Sequence, residues 1–428
     1  MKVNKTNSVR SGWTEAVEVV CDYLQNPARA DAILSHVRIG LNTREFATCQ
    51  RLFYGVLRNL SLLRRAVDIT CEYKPLPMAA ALLMVAGYEF VEDGTSDEMR
   101  AKITHHAVEM SGNVLPVKMR GFVNAVLRKL PDALNTAAEA ESDPVKKLAI
   151  KYSHPSWLVR RWVGEFGEDG AIALLEWDQK PAPVYVRVEN NAQALPDNLK
   201  PTRWDGYFAY DGGEWAEVEK LLHAKSAYAQ DPATRLCVEL LAPKSGERVL
   251  DLCSAPGGKA RNILSQMDGN GTLVCVDLPG ERCIRLRENL YGATGAHVAI
   301  VEADVLKMGP GLFVTQALPE AYDAVLLDAP CSNTGVLRRR PDARWRLQDG
   351  DIEKAAELQA QLLECAAKFV APGGRIVYST CSVEARENDE VVAAFLAKHA
   401  DFTKSGEIKA FPWIDGHDGA EAFCLRRG

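Results

Sequence analysis

At 428 residues, 47% hydrophobic and 25% charged, the chain has the make-up of an ordinary globular protein with room for two or three domains. Its 51 basic and 57 acidic side chains leave a net charge of -6, which excludes a protein that coats polyanions with a generally basic surface, so any nucleic-acid contact must be local. The 11 cysteines are scattered and never spaced Cys-x-x-Cys, which argues against a secreted disulfide framework or a zinc ribbon.

The polar opening Met1 to Arg10 has no apolar signal core, and the apolar run Ala79 to Gly87 falls far short of the ~20 residues of a membrane span. The expectation is a cytoplasmic monomer with neither membrane nor metal as partner. From Ser11 to about Leu130 apolar residues recur at helical spacing, as in Leu52, Val56 and Leu60 and again in Phe122, Val126 and Leu130. This predicts an all-α domain over 1–143, closed by the Ala-, Glu- and Asp-rich stretch Pro131 to Asp143. Its segments Arg51 to Asn59 and Arg120 to Arg128 place arginine beside an apolar stripe, either as a solvated helix edge or as a modest RNA-contacting face. A small α+β segment over 144–228 comes next, with a helix after Tyr152-Ser-His-Pro155 and a strand at Pro183 to Val188. His154, alone in its turn, reads as structural.

From 229 to 428 strands and helices alternate, the pattern of a Rossmann-like doubly wound α/β sheet. The predicted strands are Arg248–Leu252, Thr272–Val276, His297–Val301, Asp323–Leu327 and Arg375–Ser379. After the first comes Cys253-Ser254-Ala255-Pro256-Gly257-Gly258-Lys259, a glycine-rich turn opening a helix, where backbone can approach a ligand closely and helix N-terminal amides face it. Asp277 ends the second strand 20 residues beyond Gly257, the spacing at which a carboxylate reaches a ribose. Asp304, after the third strand, is placed to accept from an adenine amino group.

The fourth strand runs into Asp328-Ala-Pro-Cys331 and then an arginine-rich run holding Arg338, Arg339, Arg340, Arg344 and Arg346. Taken alone, this loop makes Cys331 the nucleophile. The fifth strand ends in Thr380-Cys381-Ser382, so two thiols close successive strands. The remaining cysteines read as small buried hydrophobes.

These motifs (the loop to Lys259, Asp-Ala-Pro-Cys-Ser332 with its arginines, and Thr-Cys-Ser382 followed by Glu387-Asn388) resemble those of the RNA cytosine-C5 methyltransferases. The helical N-terminal module resembles the NusB-type RNA-binding domain that the RsmB/Fmu branch of that family carries. The resemblance implies S-adenosyl-L-methionine as cofactor, held by residues 253–259 with Asp277, Asp304 and Asp328. The substrate implied is 16S ribosomal RNA or an assembling small subunit, with transfer RNA or a non-catalytic assembly role as the alternatives. It assigns the attack on the base to Cys381 and gives Cys331 the breakdown of the adduct. The chain departs from the family at Ala260, where Thr is common, at Leu278-Pro279, and at Asp415 to Phe423, where the family has a Gly-Asp-Gly-Phe-Phe-like strand.

Carbon 5 of cytosine is a poor nucleophile until something adds to carbon 6, and a thiolate both adds well and leaves well. Asp328 is then expected to serve as the acid at the ring nitrogen N3, and the five arginines to hold phosphates around an unstacked base.

Overall fold

The computed structural model describes residues 11–189, 195–292, 295–309 and 311–428, so the polar opening Met1 to Arg10 lies outside the described residues. The chain forms two compact units, one of Met1–Pro181 with Leu337–Asp349, the other of Ala182–Val336 with Gly350–Gly428. Among the described residues no helix is long and apolar enough to cross a membrane.

The first unit is helical: α1 (Gly12–Gln25), α2 (Ala30–Arg38), α3 (Thr43–Arg58), α4 (Leu60–Thr70), α5 (Pro77–Asp93), α6 (Asp97–Val114), α7 (Arg120–Leu127), α8 (Leu130–Thr136), α9 (Pro144–Lys151) and α10 (Ser156–Gln179). Side-chain caps start several of them, Asn42 accepting from the Glu45 amide, Ser96 from Met99, and Asp143 from Val145 and Lys146. The stripe Leu52, Val56, Leu60 is wholly buried, as its spacing predicts, and Gly55 lets α3 close on α5, since a Cβ there would meet the Tyr88 ring. Arg51 pairs with Glu92 on α5, which is the solvated-edge reading of that segment.

The stretch 144–228, expected as one small α+β segment, is divided. Helices α9 and α10 bury Ala149, Leu158, Val159 and Trp162 in the helical unit, where Gln179 donates to the Arg58 carbonyl at 3.0 Å. From Ala182 onward the stretch belongs to the second unit, where β1 (Tyr185–Val188), β2 (Leu199–Pro201), β3 (Tyr207–Tyr210) and β4 (Ala227–Ala229) make an antiparallel sheet in the order β2-β3-β1-β4.

The main sheet of that unit holds β5 (Arg248–Leu252), β6 (Thr272–Asp277), β7 (His297–Glu302), β8 (Tyr322–Asp328), β9 (Val370–Thr380), β10 (Phe402–Ala410) and β11 (Ala420–Arg427). Its order is β10-β11-β9-β8-β5-β6-β7, parallel from β9 to β7, with β11 and β10 added antiparallel. The central parallel strands β5, β6 and β8 are runs of buried Val and Leu, as strands covered on both faces are, whereas β7 at the edge is only part-buried. Strand order reverses between β5 and β8, so the turns leaving these two strands flank the crevice where such sheets bind ligands.

Candidate active site

The turn after β5 is fixed from below and from the side. Asp251 is fully buried, with Oδ2 accepting from Ser254 Oγ at 2.6 Å and Oδ1 without a hydrogen-bond donor. Burial pushes its pKa up to about 7, against the pull of the Ser254 hydroxyl. Asp277, at the end of β6, accepts from the Ala255 amide at 2.8 Å and from its own neighbour Leu278 at 2.8 Å, so it orients the loop it was expected to face across the ribose. Gly257, at φ 101°, opens the helix Gly258–Gln266, and a Cβ on it would lie 2.8 Å from Leu286. Burial, with the charges of Asp277, Asp328 and Asp251 beside it, pushes the Cys253 thiol up to about 12. Asp304 caps the short turn after β7, accepting from Leu306 at 3.1 Å, with Lys307 3.4 Å away.

These groups fit S-adenosylmethionine. A glycine turn at a helix start leaves room for the backbone to meet the cofactor, and the carboxylates of Asp277, Asp304 and Asp328 at successive strand ends suit a molecule that carries a sulfonium, an ammonium and a ribose.

Across the reversal point, Lys259 Nζ lies 2.6 Å from Asp328 Oδ2. Burial works against the ammonium, but the carboxylate outweighs it and the Lys259 pKa goes up. Asp328, expected as an acid at the ring nitrogen, accepts here from the Lys259 ammonium. Neighbouring strands β8 and β9 bring the two thiols together, with Cys331 Sγ 3.1 Å from Cys381 Sγ. Asn333, at φ 65°, donates to the Cys331 carbonyl at 2.8 Å, and its Oδ1 lies 3.5 Å from Cys381 Sγ. The hydrogen bond to Cys381, then burial and the charges of Cys381 and Glu387, push the Cys331 thiol up.

Beneath the thiols lies a buried polar network. Glu387 takes the Ser332 hydroxyl on Oε1 together with Ser382 Oγ at 2.7 Å, and on Oε2 the Ser332 amide at 3.0 Å and Gln359 Nε2 at 2.8 Å. Asn388 accepts from Thr380 Oγ1 at 2.7 Å and donates to the carbonyls of Ser382 and Glu384.

The arginine run does not form one surface. Leu337–Asp349 belongs to the helical unit. Arg344 is fully buried there, donating to the carbonyls of Ser153, Asp178 and Leu337 at 3.2, 3.1 and 3.4 Å, and burial lowers its pKa to about 10. It is a structural residue rather than a phosphate contact, because its guanidinium is spent on main-chain oxygens. Arg338 lies over the Trp177 ring and donates to Pro181 O at 2.8 Å. Arg346 pairs with Asp342 at 3.0 Å, Arg339 is half-buried, and Arg340 is exposed. Trp345 Nε1 donates to the Leu57 carbonyl at 2.8 Å. In the same unit His154 is fully enclosed, with Nδ1 2.6 Å from Tyr152 O and Nε2 3.2 Å from Asp178 Oδ2, the structural place its turn suggests.

Sequence reasoning thus pointed to the two thiols that the strands bring together, but not to the Lys259–Asp328 pair or the buried contacts of Glu387. The only signal for Glu387 was its position in the motif, since burial of a carboxylate leaves no mark in composition.

A family model described as 16S rRNA methyltransferase RsmB/F matches residues 238–416, and the NusB family model matches residues 14–132. Ribosomal RNA small subunit methyltransferase B of Klebsiella pneumoniae subsp. pneumoniae is 31% identical over 422 residues, covering 93% of this chain and 92% of its own length. The probable ribosomal RNA small subunit methyltransferase B of Bacillus subtilis is 31% identical over 456 residues, covering 96% and 98%. The crystal structure of PH0851 shares the fold over 99% of this chain and 100% of its own, with a TM-score of 0.76 at 23% identity. A methyltransferase homolog protein from Pyrococcus horikoshii covers 67% of this chain and 100% of its own, with a TM-score of 0.56 at 22% identity.

Proposed function

The chain belongs to the RsmB/F family of 16S rRNA methyltransferases, whose cofactor is S-adenosylmethionine, and on that premise we propose that it methylates carbon 5 of a cytosine in 16S ribosomal RNA through a covalent bond from Cys381. The observation that carries this reading is the pair of thiols 3.1 Å apart at the ends of adjacent strands, in the same unit as the Lys259–Asp328 ion pair. A methyl transfer to oxygen or to an amino group has no use for two such thiols.

Cys381 adds to carbon 6 of an unstacked base. Once the methyl group is on carbon 5, a base of the site takes the carbon-5 proton, the electron pair of that bond re-forms the 5,6 double bond and the bond from carbon 6 to the Cys381 sulfur breaks, with Cys331, 3.1 Å away, hydrogen-bonding the departing sulfur. Lys259 and Asp328 present a donor beside an acceptor. Cytosine offers the complementary pair, an acceptor at N3 and an amino donor at N4, whereas uracil reverses both, so the ion pair selects cytosine and Lys259 meets the charge that addition drives onto N3. Residues 253–259 with Asp277, Asp304 and Asp328 hold the cofactor. When bound, S-adenosylmethionine supplies an electrophilic methyl group.

Bisulfite sequencing of total RNA from cells with and without the protein tests the reading. One cytosine of 16S RNA protected only when the protein is present is the expected result, and an unchanged pattern in every RNA would refute it.

A further inference from the structure

We propose that Glu387 is a positioning residue of the methyl transfer, tying the Cys331 turn to the Cys381 turn and so setting the spacing of the two thiols. The proposal rests on the cytosine methylation proposed for this site and assigns a group that this reaction leaves without a part. Ser332 follows Cys331 and Ser382 follows Cys381, and both hydroxyls end on Glu387 Oε1. The same carboxylate takes the Ser332 amide and, from the helix Asp351–Ala367, Gln359 Nε2, which also donates to the Pro330 carbonyl at 3.0 Å. One group therefore sets the spacing of two turns that lie 50 residues apart in the chain.

Glu387 is fully buried, and its four donors come from the Ser332 turn, the Ser382 hydroxyl and the helix Asp351–Ala367. Both of its oxygens are used, each by two donors. A glutamine of the same size keeps one acceptor oxygen and turns an amino group on the donors of the other, so it fills the space without holding both turns.

The test uses the full chain, S-adenosylmethionine and a 16S RNA transcript, comparing wild type with Glu387→Gln. We expect kcat to fall about tenfold or more with KM for RNA changed less than about twofold. A Glu387→Gln kcat within about twofold of wild type, or a loss that appears only with a lowered urea midpoint, overturns the proposal. A second measurement holds whether or not the variant folds: oxidation of the wild-type protein with diamide, read peptide by peptide by mass spectrometry. The two thiols, 3.1 Å apart, should join as one Cys331–Cys381 disulfide, and wild-type protein that forms no such bond overturns the proposal. Oxidation needs no RNA, so a protein that forms this bond and methylates no cytosine refutes the reaction and not the spacing of the thiols.

Discussion

One continuous stretch, Asp328 to Arg346, splits at Val336 into halves with different work. Up to Val336 the chain belongs to the sheet unit, and its polar groups converge on the candidate site: Asp328 on Lys259, Cys331 on Cys381, Ser332 on Glu387. Beyond it, Leu337–Asp349 is built into the helical unit, and its best-held side chains, Arg344 and Trp345, satisfy main-chain oxygens of that unit. Residue type is therefore a poor guide to role here, since the most basic part of a candidate RNA-binding loop holds its most deeply buried cation. A donor is needed wherever turns bury carbonyls, and arginine with five N–H groups can serve three at once.

The contrast predicts different failures for the two halves. In the first, Cys381→Ala should abolish turnover and form no denaturant-resistant adduct with RNA, whereas Cys331→Ala should retain RNA in a covalent complex, both read on a denaturing gel. An adduct trapped by Cys381→Ala would reverse the two assignments. In the second, Arg344→Met leaves three buried carbonyls without a donor and should destabilise the helical unit by about 3 kcal/mol in urea denaturation. S-adenosylmethionine binding should be retained, and a loss of RNA affinity at unchanged stability would restore Arg344 to the phosphate surface.

Acid and base should also separate the units. The pKa of His154 is depressed by burial and by Arg344, so it is lower in the folded than in the unfolded chain. The stability it contributes is complete above the unfolded value of about 6.5 and is lost as pH falls below it. Asp251 has the opposite sign: its folded pKa, about 7, is raised above the ordinary 3.8, so its contribution is complete below the ordinary value and is lost as pH rises through about 7. Hydrogen-exchange protection, corrected for intrinsic rates, should on acidification from pH 7.5 to about 5.5 fall in α9 and α10 and rise in β5. Shifts of the same sign in both units would break the comparison. The smallest effect belongs to Arg340, the exposed member of the run. Arg340→Ala should weaken RNA binding a few-fold and reduce its salt slope by about one, with stability unchanged.

The parallel strands were legible because buried strands are written as runs such as Ala324-Val-Leu-Leu327, and the helices because Leu52, Val56 and Leu60 keep one face. The thiols and the glycine turn were legible because each ends such a run. What escaped lacks a local signature. The strand β10 alternates exposed Lys and Glu with little apolar content, as the edge of a sheet permits, and so reads as loop. The division of 144–228 and the buried Arg344 depend on contacts between residues far apart in the chain, as do the four donors of Glu387.

Trp345 reaches Leu57 across 288 residues, and Tyr23 reaches the Asp342 carbonyl across 319. The helical unit is therefore not finished when α10 has left the ribosome. Its last contributors emerge only after most of the sheet unit has been synthesised, so during translation the first 181 residues must wait, partly packed, for a segment made more than 150 residues later. A fragment cut at Pro181 would be frozen in that waiting state.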